Sequence, residues 1–346
     1  MSDSRKKIIG ALQKLTFHQN LTEQETYELF EFVLSGELSD VQIAGLMVGL
    51  AVKGETFEEL AGAGRGMRDH SQKIKAVGSP IVDLIGTGND VQHTFNVSTV
   101  ASMVVAGAGC TVAKHGSASI KEVCSSAGVL EACGYDLDAP PEKVEECIAK
   151  IGVGFMFSAT FHKAFRKTNM INHELGIRTI FNMLAPLGNP AGADCMVVGV
   201  FAGELTEKFA AALRNLGVTS AMVVYGHDGM DEISVTSPTR ITELRNGTIR
   251  TYNIRPEIYF KGEAPSDISD LAGGTPEENA ATLRGILEGR IRGIRRDIVL
   301  INAAAALYAA GKVNDLHGGI DMAREVIDSG AARKKFEQMI EFMKKT

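Results

Sequence analysis

The stretch DLIGTGND, residues 83–90, follows the apolar run SPIV and precedes VQHTFNVST. A short apolar run ending in Gly-Thr-Gly reads as a buried strand that leaves its sheet through a tight turn. Such a turn leaves backbone N–H groups bare, and a nest of bare N–H groups is an anion site. On its own the tripeptide is better explained as a plain structural turn. Its neighbours change that balance. Asp90 follows two residues on, and Asn96, Ser98 and Thr99 stand at the predicted start of a helix. There they can cap the helix or hold a phosphate or a phosphate-bound Mg²⁺. Lys114-His115-Gly116 then ends another short apolar run, offering a compact cation and a glycine that permits close backbone approach. In isolation Lys114 is equally a solvated strand end.

Downstream of residue 80 the chain alternates apolar strands (TVAKHG, VGFMFS, CMVVGVF, SAMVVYG) with amphipathic helices such as ELTEKFAAALRNLG. That rhythm predicts a mainly parallel sheet with crossover helices. Asn246-Gly247 between alternating runs predicts a hairpin. From about residue 276 the chain reads as helix again, with DIVLINAAAALYAAG the most apolar segment.

Upstream, the first 75 residues read as helices, and three capping boxes stand in sequence: Thr22 with Glu25, Ser39 with Gln42 and Thr56 with Glu59. Gly36 and Gly54 are suitable stops. VQIAGLMVGLAVKG is apolar almost all round, which suits a core helix or a subunit contact. The predicted fold class is therefore α/β: a helical domain over 1–75, with a segment near 163–190 returning to it, and a larger α/β domain over 76–346.

The 346 residues are 45% hydrophobic, enough for a full core. Lys plus Arg number 36 against 42 Asp plus Glu, a net charge of −6. That balance argues against a nucleic-acid partner held by charge alone. Five cysteines without C-x-x-C spacing read as free thiols in a reducing cytoplasm. The N-terminus lacks an apolar signal core and no run is apolar enough to span a membrane.

Two further constellations carry chemistry. YGHDGMDEIS holds Asp231 and Glu232 side by side, a hard-oxygen pair suited to Mg²⁺ bridging phosphates if a turn brings both to one pocket. Alone, such a pair is usually a solvated loop. The segment 161–192 gathers His162, Arg166, Lys167, His173 and Arg178 before a rigid stretch containing Pro186, Gly188 and Pro190. It also reads as a basic helix with a plain turn after it.

Taken together, GTGND, TFNVST, KHG, VLEACG, HELGIRTIFNMLAPLGNPA and YGHDGMDEIS resemble the anthranilate phosphoribosyltransferases of tryptophan biosynthesis, in that family's order and over nearly the whole chain. The resemblance implies a glycosyltransferase that binds phosphoribosyl pyrophosphate (PRPP) with Mg²⁺ between a helical and an α/β domain, and a homodimer formed through the helices. It places PRPP against Gly86, Thr87, Gly88, Asn89, Asp90, Thr94, Asn96, Ser98, Thr99 and Lys114. It places the metal at Ser98, Asp231 and Glu232, and the acceptor near His115, Gly116, Ser117, Asn172 and His173.

The departures cluster. Asn89 stands at the fourth position of a loop that in the family reads Gly-Thr-Gly-Gly-Asp, and Asn is the best non-glycine residue for positive φ. Ser117 and Ala118 replace Asn-Arg, and Lys121-Glu122-Val123 replaces phosphate-binding serines. Asn172 and His173 replace an arginine pair, one member of which grips the acceptor carboxylate. A bidentate Arg–carboxylate contact contributes roughly 1.5–3 kcal/mol. Either His173, Arg166 or Lys167 takes over that carboxylate, or the acceptor is a different aromatic amine or N-heterocycle. A pyrimidine nucleoside phosphorylase and a non-catalytic relative are the rival readings.

Overall fold

A computed structural model describes residues 3–88, 94–117, 125–260 and 267–345. Four helices come first: α1 (Asp3–Thr16), α2 (Glu23–Leu34), α3 (Asp40–Lys53) and α4 (Phe57–Asp69). All three capping boxes form. Glu59 does more than cap: fully buried, it accepts from the N–H of Leu21 at 2.8 Å and pairs with buried Lys53 at 2.9 Å. Gly62 has no Cβ because the Glu23 carbonyl occupies that space, so α4 lies directly on α2. The apolar helix α3 buries Ile43, Leu46, Met47 and Leu50, yet leaves Val41 82% and Val52 69% exposed.

The chain continues through β1 (Ile81–Gly86), α5 (Val97–Gly107), β2 (Thr111–Gly116), α6 (Ser126–Ala132), α7 (Pro141–Ile151), β3 (Val153–Phe157), the single turn α8 (Ser158–Phe161) and α9 (Arg166–Leu175). Then come β4 (Cys195–Gly199), α10 (Leu205–Asn215), β5 (Ser220–Gly226), β6 (Thr239–Arg245) and β7 (Thr248–Ile254). The helices α11 (Pro276–Leu287), α12 (Ile294–Ala309), α13 (Leu316–Asp328) and α14 (Ala331–Met343) complete it. The seven strands run β3-β2-β1-β4-β5-β6-β7, the first five parallel and the last two antiparallel. Asn246 (φ 50°) and Gly247 (φ 78°) make the β6–β7 hairpin turn.

The strands alternate between two cores, as side chains of period two must. Val82, Leu84, Val197, Met222 and Val224 pack with α5 and α12; Ile85, Met196, Val198, Ala221 and Val223 pack with α10 and the N-terminal helices. Arg68 ties α4 to the rest, donating to the carbonyls of Leu187 (2.7 Å) and Leu216 (2.9 Å). The helix α9 packs on α3, where Lys167 pairs with Asp40 at 2.6 Å. Four cysteines are buried free thiols; Cys124 lies outside the described residues. Among the described residues no helix is long and apolar enough to cross a membrane.

Order 3-2-1-4-5 places a crevice between β1 and β4, where successive connections leave in opposite directions. Ligands of open α/β sheets bind outside the strand C-termini at such a point. Gly86 and Gly199 face each other across it as the last partners of the ladder.

Candidate active site

A cavity of about 1190 Å³ opens over that crevice. Gly86, Thr87, Gly88, Thr94, Asn96, Ser98, Lys114, His115, Gly116, Ser117, Asn172, His173, Asp231 and Glu232 all line it. Asn89 and Asp90, with the replaced residues Ala118 and Lys121 to Val123, lie outside the described residues.

Two expectations need correction. The N–H groups of the glycine turn are not bare: Thr87 N–H donates to the carbonyl of Gly199 (2.9 Å), and Gly88 N–H donates to Oδ2 of Asp231 (3.0 Å). The anion at this turn is the protein's own carboxylate. Thr99 is off the cavity wall, fully buried with its hydroxyl donating to Ser126 Oγ at 3.0 Å. One step along a helix rotates a side chain by about 100°, so Ser98 faces the cavity and Thr99 turns inward. Asn96 begins α5 without capping it; its Oδ1 accepts from Asn279 Nδ2 at 3.2 Å.

Lys114 is not a solvated strand end. It is 2% exposed, and its Nζ donates to the Leu84 carbonyl (2.5 Å) and Ser98 Oγ (3.3 Å). Burial lowers its pKa, while Asp83, Glu232 and Asp231 oppose that shift. Asp83 is a charge inside an otherwise apolar strand. Its carboxylate accepts from His115 N–H (3.1 Å) and Asn189 Nδ2 (2.7 Å), and burial raises its pKa to about 6 against the pull of Lys114. The His115 ring is fixed at both nitrogens. The Ala185 carbonyl at 3.0 Å can only accept, so Nδ1 carries the proton and Nε2 accepts from the Ser158 hydroxyl at 3.0 Å. Burial, aided by the Lys114 charge, lowers its pKa to about 4.

The cavity is also lined by apolar and aromatic side chains: Met67, Phe157, Phe165, Met170, Ile177 and Phe181. Asn172 lines it without reaching out: its Oδ1 accepts from Thr179 Oγ1 (2.6 Å) and its Nδ2 donates to Asn182 Oδ1 (3.1 Å). Lys167 and Arg178 lie off the cavity, the latter stacked 4.4 Å over Phe201. Lys163 and Arg166 line it, and neither has an acidic partner among the described residues. The reading of the sequence missed Ser126, Gly273, Gly274 and Asn279, which also form the wall. It also missed Asp83, buried behind the wall against His115 N–H, although an acid within an apolar run is a legible signal.

A divalent cation fits the donor set. Asp231, Glu232 and Ser98 offer hard oxygens in one cavity, and no group of three or more His, Cys, Asp or Glu side chains that could hold a metal by themselves occurs among the described residues. One or two carboxylates completed by phosphate oxygens is the usual Mg²⁺ arrangement.

Residues 9–71 match the helical bundle domain of a glycosyl transferase family, and residues 78–333 match its a/b domain. That is the class which a helical bundle and an α/β sheet with a crevice site define. The chain is 52% identical over 333 residues to the anthranilate phosphoribosyltransferase of Desulfosudis oleivorans, covering 96% of this chain and 98% of that one. The crystal structure of the Thermus thermophilus anthranilate phosphoribosyltransferase superposes with a TM-score of 0.91 at 41% identity, covering 96% of this chain and 99% of that one. The Saccharomyces cerevisiae enzyme in complex with PRPP and Mg gives 0.88 at 25% identity, covering 99% and 98%. The chain belongs to the anthranilate phosphoribosyltransferase family.

Proposed function

We propose that the chain transfers the 5-phosphoribosyl group of PRPP to anthranilate and releases pyrophosphate. The observation that carries this reading is the meeting of the Asp231–Glu232 pair, the glycine turn and the Lys114–Ser98 pair in one cavity that aromatic side chains also line. The names of the curated relatives support it.

PRPP lies along Gly86–Gly88, Thr94, Asn96 and Ser98, with Lys114 toward its diphosphate. Asp231, Glu232 and Ser98 would hold Mg²⁺, which would supply charge neutralisation for the leaving diphosphate. The C1–O bond to pyrophosphate breaks, the acceptor nitrogen forms a bond to C1, and that nitrogen gives its proton to solvent. Lys114, preoriented by Leu84 and Ser98, stabilises the departing charge. An aromatic amine is already unprotonated at neutral pH, so His115, locked between Ala185 and Ser158, orients the acceptor wall and abstracts no proton. With Asn172 engaged by Thr179 and Asn182, Arg166 supplies the cation for the acceptor carboxylate. Proximity across the cavity does the rest.

The chain acts as a homodimer through its helices. Val41 and Val52, about three turns apart on one exposed face of α3, support this. Sedimentation of a Val41→Glu variant at half the wild-type mass is the expected result.

The test of the activity mixes the chain, PRPP, Mg²⁺ and anthranilate, following pyrophosphate release and the loss of anthranilate fluorescence. No turnover with anthranilate, together with turnover of an aromatic amine lacking the carboxylate, replaces the acceptor. No turnover with any acceptor in such a panel ends the reading.

A further inference from the structure

Asn302 is fully buried in the middle of α12, within an otherwise apolar, alanine-rich segment. A buried amide among alanines needs partners to offset its desolvation. It has three. Its Oδ1 accepts from the N–H of Ile233 at 2.9 Å, and its Nδ2 donates to the carbonyls of Ile233 (3.0 Å) and Ile298 (2.8 Å). One side chain thus grips both backbone polar groups of the residue next to Glu232. Two hydrogen bonds of opposite sense fix orientation as well as position.

The same loop is fastened on its other sides. Asp228 Oδ2 accepts from the hydroxyls of Ser234 (2.5 Å) and Thr236 (2.6 Å), and the Ser234 N–H donates to Thr239 Oγ1 (2.9 Å). The Met230 carbonyl accepts from Gly226 N–H at 2.9 Å. At its tip, the Asp231 carbonyl fills the space a Cβ on Gly199 would need. The half-buried side chains of Asp231 and Glu232 project into the cavity from a backbone held on every flank.

We infer that Asn302 is a positioning residue for the divalent cation and diphosphate: through Ile233 it sets the geometry in which Asp231 and Glu232 share one ion. The inference rests on the phosphoribosyl transfer proposed above. Outer partners that orient metal-binding carboxylates typically govern affinity by about 10- to 100-fold.

The test titrates Mn²⁺ into the intact chain with PRPP present, reading bound metal by electron paramagnetic resonance, beside the metal dependence of turnover. Asn302→Leu keeps the volume and removes all three hydrogen bonds. It is expected to weaken Mn²⁺ uptake about 10- to 100-fold, with turnover restored by excess Mg²⁺. Should that variant not fold, Asn302→Asp, which keeps size and an acceptor for Ile233 N–H, is expected to shift affinity in the same direction by less. A folded variant with wild-type Mn²⁺ affinity overturns the inference, even with a lowered melting temperature. A wild-type chain that takes up no Mn²⁺ with PRPP overturns the transfer reading and this inference with it.

Discussion

The carboxylate of Asp231 accepts a hydrogen bond from the backbone N–H of Gly88 at 3.0 Å, across 143 positions of sequence. A turn after β1 that reads as an open anion site is closed by an acid from the loop after β5. The acidic pair and the glycine turn are therefore one structural unit.

Charge and geometry at that contact can be separated. Asp231→Asn keeps an oxygen for Gly88 N–H and removes the negative charge. Pyrophosphate release is expected to fall at least ~100-fold at limiting metal, since charge stabilisation of the leaving group is lost. The denaturant midpoint should stay near wild type. An active Asp231→Asn enzyme with unchanged metal dependence contradicts the assigned role.

Gly199→Ala acts through backbone instead. The new Cβ overlaps the Asp231 carbonyl, a group that cannot swing aside as a side-chain tip would. Overpacking of this kind costs about 1–3 kcal/mol. Both stability and PRPP affinity should drop, whereas Gly217→Ala, at a position with nothing near but with φ 83°, should lower stability alone. Urea titration and the KM for PRPP distinguish the two.

Arg166→Met should raise the KM for anthranilate about 10- to 100-fold, the usual loss for a hydrogen bond to a charged group, and leave the KM for PRPP unchanged. Lys167→Met removes only the ion pair with Asp40 on the outer surface and should change neither. Equal effects of the two variants would discard Arg166 as the carboxylate anchor.

The buried histidines set an acid limit. Burial depresses His115 from 6.5 to about 4, and burial with the neighbouring His115 depresses His162 to about 2. A depressed folded pKa means that the fold favours the neutral ring. That stability is present above about pH 6.5 and is lost as pH falls toward 4. Asp83, raised from 3.8 to about 6, contributes with the opposite sign: its stability is fully present below 3.8 and is lost as pH rises through 6. His115→Gln removes one histidine from this balance. Its urea midpoint should therefore drop less than the wild type's between pH 7 and pH 5. An identical drop would show that the fold does not depress the His115 pKa.

Much of the architecture is written locally. The capping boxes at Thr22, Ser39 and Thr56, the Asn246-Gly247 hairpin and the alternation of β1 to β5 with their helices depend on neighbours three or four residues away. Such short-range patterns survive in a one-dimensional string. The placement of Ser98, Lys114, Asp231 and Glu232 in one site was legible as chemistry and through the family resemblance.

Other features depend on the packed sheet. Nothing near Gly88 in sequence announces that its N–H is taken by Asp231. Nothing near Asn302 announces that it grips Ile233, 69 residues away. Thr99 and Ser98 look alike as residue types, and only the rotation of α5 against the sheet turns one to the cavity and the other to Ser126. Residue order along the chain determined which groups exist and which strands and helices carry them. The tertiary structure decided which of those groups meet, because each contact joins elements that become neighbours only when β1, β4 and β5 pair and α12 closes over them.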